Sequence, residues 1–339
     1  DTGLYHVAFK VGDSLDELRA CKAHLERHGV AILGANGAGK TTLCRMLLKK
    51  VPVATGHIGT VAIPNVGDLV LVAFDHRVGR LVAARLDRDA PGIGYAGQGT
   101  KYIEEAFKRA RAADPDCELF YNDYSAETDN AKSDAIYKMA QDFKNRNVPL
   151  DGIGFQAHIG LWFDSNAVNS FVQNMQRFSA LGLEIHITEL DVGLDTGDTA
   201  SLNSQATLYG QIMTACAQNT NCRWFQTWGF TDAHSWRTTA SPPKCCPLPF
   251  DASYSKKPAY NGLLNALGVG STLRQAGNSV NITMSAAAQP QWLNDGTLYG
   301  ATLRTEYAGL EPENQMKFGI IHPLEGLSPT DPAAYNFAP

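Results

Sequence analysis

From about residue 101 to 268 the apolar positions switch repeatedly between helical and strand spacing. YIEEAFKRARAADPD reads as an amphipathic helix and is followed by the strand CELFYNDY. AKSDAIYKMAQDFKNRN is the next helix and DGIGFQAHI the next strand. SNAVNSFVQNMQRFSALG then leads to GLEIHITELDV, SQATLYGQIMTACAQ leads to RWFQTWGFTD, and PAYNGLLNALG closes the run as a helix. Four βα units of this spacing predict a parallel sheet with helices outside it. Polar or aromatic residues stand at the C-terminal end of every strand: Asn122 and Tyr124, Gln156 and His158, Glu189 and Asp191, Trp228 and Asp232. A (β/α)8 barrel gathers its active site there. An open doubly wound sheet would also place function at strand C-termini, so this pattern favours the barrel only modestly.

GLEIHITELDV carries the sharpest chemistry. Ile185, Ile187 and Leu190 suit a buried strand, yet Glu189 and Asp191 stand two residues apart, on the same side of it. Burying an ionised carboxylate costs several kcal/mol or more unless it is paired. An exposed strand end is the bland explanation; a catalytic carboxylate is the other.

Composition narrows the classes. With 339 residues, 44% hydrophobic and 19% charged, the chain can bury a large core, as one large domain or two ordinary ones. A net charge of −5 supplies no electrostatic reason for nucleic acid or an anionic membrane as partner. The sequence has no apolar run of about 18 residues, so no membrane span is expected. DTGLYHVAFK does not read as a signal peptide, which fits a mature or a cytosolic chain. Seven cysteines leave at least one thiol unpaired within the chain. Cys216 and Cys222 flank the polar loop AQNTN and suit a helix-to-strand disulfide, whereas the adjacent Cys245 and Cys246 do not easily pair across an unstrained trans peptide. CxxC pairs and Cys/His clusters with zinc spacing are missing from the sequence, so neither metal nor cofactor is expected. The cysteines lean towards an oxidising compartment.

The run 101–268 resembles the C-terminal half of glycoside hydrolase family 10, the endo-β-1,4-xylanases. ADPDCELFYNDY, DGIGFQAHI, GLEIHITELDV, FQTWGFTDAHSW and PLPFDASYSKKPAYNGLL match in the family's order. The resemblance implies that Glu189 is the nucleophile, with Tyr124, Gln156, His158 and Asp191 around it and Trp228 and Trp236 in the sugar-binding floor. It also implies a secreted, monomeric enzyme acting on xylan or xylooligosaccharides, and a Cys216–Cys222 disulfide of the kind found in fungal members.

Residues 273–339 resemble the same family's N-terminal part, its first helix and first two strands. EPENQMKF is similar to a glycone-subsite motif, which implies hydroxyl-binding roles for Glu313, Asn314 and Lys317. In ordinary members this segment comes first. Here it follows, so the expected fold is a circularly permuted (β/α)8 barrel of residues 101–339, with strands near 118–123, 152–157, 184–189, 223–229, 279–284 and 307–311 in one parallel sheet. Barrel termini are neighbours, and a linker such as GVGST can join them.

Residues 1–100 stand in the place of the family's third and fourth βα units, which hold a GHTLVWH segment and the acid/base Glu. Neither is found, and around Asp75 the chain reads FDHRVG; the acid/base is therefore unassigned. The segment reads as a foreign mosaic. GLYHVAFKVGDSLDELRACKAHLERHGV is like a vicinal oxygen chelate unit, in which His6 would ligate a metal; without partner ligands it is expected to be inert. Gly34-x4-Gly39-Lys40-Thr41 is a complete Walker A pattern resembling the ABC-transporter version, but it has neither a Walker B strand nor an LSGGQ-like signature. The glycines at 34, 37 and 39 are expected to form a turn with no nucleotide. GTVAIPNVGDLVLVAFDHRVGRLVAARLD is faintly like a small phage β-barrel. Three functions follow for testing: a retaining xylanase, a carbohydrate-binding barrel without turnover, and a P-loop nucleotide-binding protein. The sequon Asn281-Ile282-Thr283 falls in a predicted buried strand and is expected to be unused.

Overall fold

The computed structural model describes residues 7–10, 52–53, 56–57, 60–62, 70–72, 80–82, 100–293 and 296–315. His6, the Walker A residues, Asp75 and Lys317 lie outside the described residues.

Six strands fall near the expected positions, four from the apolar spacing and the last two from the family resemblance: β7 (Leu119–Asp123), β8 (Gly152–Phe155), β10 (Glu184–Gly193), β11 (Cys222–Thr227), β12 (Thr283–Ala288) and β13 (Gly309–Pro312). They lie side by side in the order β7-β8-β10-β11-β12-β13, every pair parallel. Strands from both ends of the run thus share one sheet. The first hundred residues supply β1 (Val7–Lys10), β2 (Pro52–Val53), β3 (Gly56–His57), β4 (Thr60–Ala62), β5 (Val70–Val72) and β6 (Arg80–Val82). Of these, β1 pairs with β13 and β6, and β6 pairs with β7, closing a ring of eight strands. β1 runs antiparallel to both neighbours. It is therefore its N-terminal end, at Val7, that stands on the rim where the other seven strands end.

Helices cover the outside. α1 (Lys101–Ala113), α2 (Ala131–Asn145), α3 (Ser165–Ala180), α4 (Thr199–Gln218) and α5 (Pro258–Leu267) match the predicted segments, followed by α6 (Leu273–Ser279) and α7 (Leu298–Glu306). Local signals set their starts. Asn130 and Ser133 form a reciprocal capping box on α2, Asp164 and Asp198 cap α3 and α4, and Pro258 opens α5. Gly268 at φ 90° ends α5 in a backbone conformation that a side chain would disfavour. The core lies between helices and sheet: Phe107, Phe143, Phe155, Phe171, Phe178 and Tyr209 are fully buried.

α4 and α5 approach through small residues. A Cβ built on Gly262 would stand 2.2 Å from the carbonyl oxygen of Ala206, and one on Gly210 would stand 3.2 Å from that of Gly262. The obstacle is backbone and cannot swing aside. Gly262→Ala is therefore expected to lose about 1–3 kcal/mol or more of stability, read as a lower urea midpoint with an unchanged m value. An unchanged midpoint would show that these helices do not pack this closely.

Two boundaries differ from the sequence reading. DGIGFQAHI is not one strand: it breaks at Ala157, φ 58°, into β8 and β9 (His158–Gly160). The predicted strand at 279–284 begins at Thr283, because the polar Asn278–Asn281 stretch ends α6 and turns before the sheet. Asn281 is consequently exposed in a turn rather than buried in a strand, which removes the reason for expecting its sequon to be unused.

Candidate active site

β10 is buried from Ile185 through Gly193, including both acids: Glu189 is 2% exposed and Asp191 fully buried. The exposed-strand-end explanation fails here. What replaces water around the two carboxylates comes from neighbouring strand ends.

The break at Ala157 is the local cause. Ala157 donates its amide to the buried Glu127 carboxylate at 2.8 Å, which holds the left-handed backbone in place. After the kink the chain resumes as β9, in register with the far half of β10, His158 beside Asp191. His158 then spans the two acids: Nε2 lies 3.1 Å from Glu189 Oε2, and Nδ1 lies 2.9 Å from Asp191 Oδ2. The second donor to Glu189 is Asn122 Nδ2, 2.9 Å from Oε1. Thr188 Oγ1 donates to Asn122 Oδ1 at 2.7 Å and so sets which way that amide points. Among the described residues Asn122, rather than Gln156, partners His158 here; Gln156 is half-buried at the kink, its backbone amide on the carbonyl of Asp123. Gly154 makes room for this pair, since a Cβ there would sit 2.7 Å from Asn122 Oδ1.

Asp191 has its own partners. Trp236 Nε1 donates to Oδ2 at 2.9 Å, and the Arg237 guanidinium stands 3.1 Å from Oδ1. Arg237 also donates to the carbonyl of Ile159 at 2.8 Å, tying this loop to β9. Burial alone would lower the pKa of His158, but the charge and hydrogen bond of Asp191, with Glu189 added, outweigh it and raise it to about 10. The imidazole is thus an imidazolium at neutral pH, donating from both nitrogens. Burial pushes the Glu127 carboxyl above the usual carboxylate range, against the opposing pull of backbone amides and of His158.

Aromatic rings wall the site. Trp236 (39% exposed) and the buried Trp228 meet His158 edge-on, with ring centroids 5.1 and 6.4 Å away. Tyr124 directly follows β7, with the Lys132 ammonium 3.9 Å over its ring. Glu313, at the end of β13, is buried and accepts from Gln289 Nε2 at 3.0 Å. A Cβ on Gly229, next to Trp228, would come 3.8 Å from Glu313 Oε1, so the two segments meet at one rim. Asn314 is exposed just beyond. The residues that follow β6, where a partner carboxylate would be sought, lie outside the described residues. Among the described residues no group of three or more metal-ligating side chains is assembled, and no helix is long and apolar enough to cross a membrane.

Sequence reasoning missed Asn122 and Arg237 as site residues. Asn122 was visible at its strand end, and Arg237 directly follows Trp236, so both had a signal. Chemically, the arrangement fixes one buried carboxylate between two hydrogen-bonding side chains near the end of a barrel strand, beside aromatic faces suited to sugar rings.

Residues 85–266 match the model of glycosyl hydrolase family 10. Endo-1,4-beta-xylanase B of Thermotoga neapolitana is 43% identical over 172 residues, covering 50% of this chain and 49% of that protein. Endo-1,4-beta-xylanase B of Neocallimastix patriciarum is 41% identical over 166 residues, 49% of this chain and 18% of its own length. The crystal structure of native xylanase 10B from Thermotoga maritima superposes with a TM-score of 0.50 at 35% identity, covering 58% of this chain and 59% of that one. The chain thus spans about half the length, or less, of the curated relatives it matches. With more than half of its residues inside the family model and Glu189 held at the barrel mouth, the chain belongs to glycosyl hydrolase family 10.

Proposed function

We propose that the protein is a retaining endo-β-1,4-xylanase-like glycoside hydrolase in which Glu189 is the nucleophile. The observation that carries this is the pair of donors, Asn122 and His158, aimed one at each oxygen of a buried carboxylate at the barrel mouth. A nucleophile must stay ionised and must not rotate, and two fixed donors meet both needs. Trp236 and Trp228 supply stacking faces, Tyr124, Gln156 and Asp191 line the site, and Glu313, Asn314 and Lys317 bind hydroxyls on the glycone side. The substrate is xylan or a xylooligosaccharide. We read the segment order as circularly permuted, since β12 and β13 continue the sheet beyond β11, and residues 1–100 as a foreign segment in place of the third and fourth units. The pairing of Cys216 with Cys222, Cα atoms 5.3 Å apart, favours a secreted protein, and a monomer is expected.

A second reading, a xylan-binding barrel without turnover, draws on one feature: the chain reads FDHRVG where the family carries its acid/base. Retention needs two carboxyl groups about 5–5.5 Å apart. Hydrolysis of an aryl xylobioside with a good leaving group separates the readings, because such a substrate needs little acid assistance. Turnover of the activated substrate, slower on xylan, is the expected result. Binding of xylohexaose without hydrolysis of either substrate would establish the binding barrel, and tight ATP–magnesium binding lost in Lys40→Ala would favour a nucleotide site instead.

A further inference from the structure

The structure assigns Asn281 as an N-glycan acceptor. Asn281-Ile282-Thr283 is the only Asn-x-Ser/Thr triplet in the 339 residues. Transfer requires an asparagine amide that can be reached and a hydroxyl two residues on. The turn between α6 and β12 presents both. Asn281 is exposed at φ 60°, a left-handed conformation that asparagine tolerates better than most residues, and among the described residues nothing hydrogen-bonds its side chain. Its backbone amide is tied to the carbonyl of Asn278 at 3.2 Å, and that of Ile282 to the carbonyl of Gly277 at 2.9 Å. Ile282 is buried (2% exposed) and anchors the triplet, while the partly exposed Thr283 opens β12.

The surroundings agree. Val280, beside the acceptor, is 39% exposed, and Val269 is 85% exposed. Ser279 Oγ donates to the carbonyl of Val269 at 3.3 Å, so the two valines flank one small surface around Asn281. A glycan would hang over this apolar pair and leave the substrate path open, because the turn lies at the N-terminal end of β12, opposite the rim that carries Glu189. The Cys216–Cys222 bond is also the product of an oxidising compartment, where N-glycans are attached in eukaryotes. The inference does not rest on xylanase activity.

The test is translation of the full chain behind a cleavable signal sequence in the presence of endoplasmic-reticulum microsomes, scoring protease-protected chains alone. Protected wild-type chains are expected to run heavier by one core glycan and to return to the unmodified mass with peptide-N-glycosidase F, leaving Asp at position 281. Asn281→Gln and Thr283→Ala should lose the shift, and Thr283→Ser should keep it. Protected wild-type chains at the unmodified mass, or a shift that survives in Asn281→Gln, would overturn the assignment. Failure of the aryl xylobioside assay would leave this result untouched.

Discussion

Replacing Glu189 by Gln is expected to lower turnover by on the order of 10⁴-fold or more, while oligosaccharide affinity changes by less than about threefold. The amide has nearly the shape of the carboxylate and keeps one acceptor oxygen, so the sugar-binding walls stay in place. It cannot attack an anomeric carbon. Its cost falls on the donors, since the −NH2 group must face either Asn122 Nδ2 or His158 Nε2, both of which donate in the native site. Asn122 cannot turn over freely, because Thr188 Oγ1 holds its oxygen. Some loss of stability is therefore expected beside the loss of rate. A 2-fluoro xyloside with a good leaving group should label Glu189 alone, read by peptide mass spectrometry. Labelling of another carboxylate, or full activity in the Gln variant, would sink the nucleophile assignment.

Alkaline pH should destabilise the protein through His158. Its pKa is raised from an ordinary value near 6.5 to about 10 by Asp191 and Glu189 acting against burial. A group whose folded pKa exceeds its unfolded value contributes stability that is fully present below about pH 6.5 and is lost as pH rises through about 10. The melting temperature should therefore fall across that window, by an amount corresponding to a few kcal/mol. His158→Gln should start lower and lose most of this slope, because two buried carboxylates then face each other without the cation between them. Its kcat should drop by about 10²-fold, as Glu189 loses one of its two charge-fixing donors. Direct titration of the imidazole by NMR decides the matter: a midpoint near 6.5, or an unchanged alkaline slope in the variant, would refute the coupling.

Both predictions depend on contacts that differ in how far the chain announced them. Glu189 and Asp191 were legible as a pair two residues apart on one face of a strand, His158 as a polar position at a strand end, and Trp236 only through the family resemblance. Asn122 stood in the same pattern, but whether it or Gln156 turned towards Glu189 depended on the kink at Ala157, which takes Gln156 out of a continuous strand. Arg237 reaches Asp191 from a loop 46 residues along the chain, a closeness that spacing cannot show. The start of β12 was misplaced for a related reason. The family resemblance put its start near residue 279, but the turn that ends α6 uses the residues up to Asn281 first.

The sequence by itself determined the alternation of helices and strands, the apolar faces that form the core, the caps that begin the helices and the acids placed at the end of a buried strand. These are local properties, set by side-chain spacing and by each residue's preference for its own backbone. Spacing does not say which strands become neighbours: the family resemblance put β12 and β13 in the sheet beyond β11, and tertiary structure alone decided that β1 enters the ring antiparallel. It also decided that His158 would bridge two carboxylates on another strand, because a kink anchored by Glu127, 30 residues earlier, sets the register of β9 against β10. Hydrogen bonds and charge interactions of that kind act over a few ångströms of space regardless of separation along the chain, and only the closed barrel brings their partners within reach.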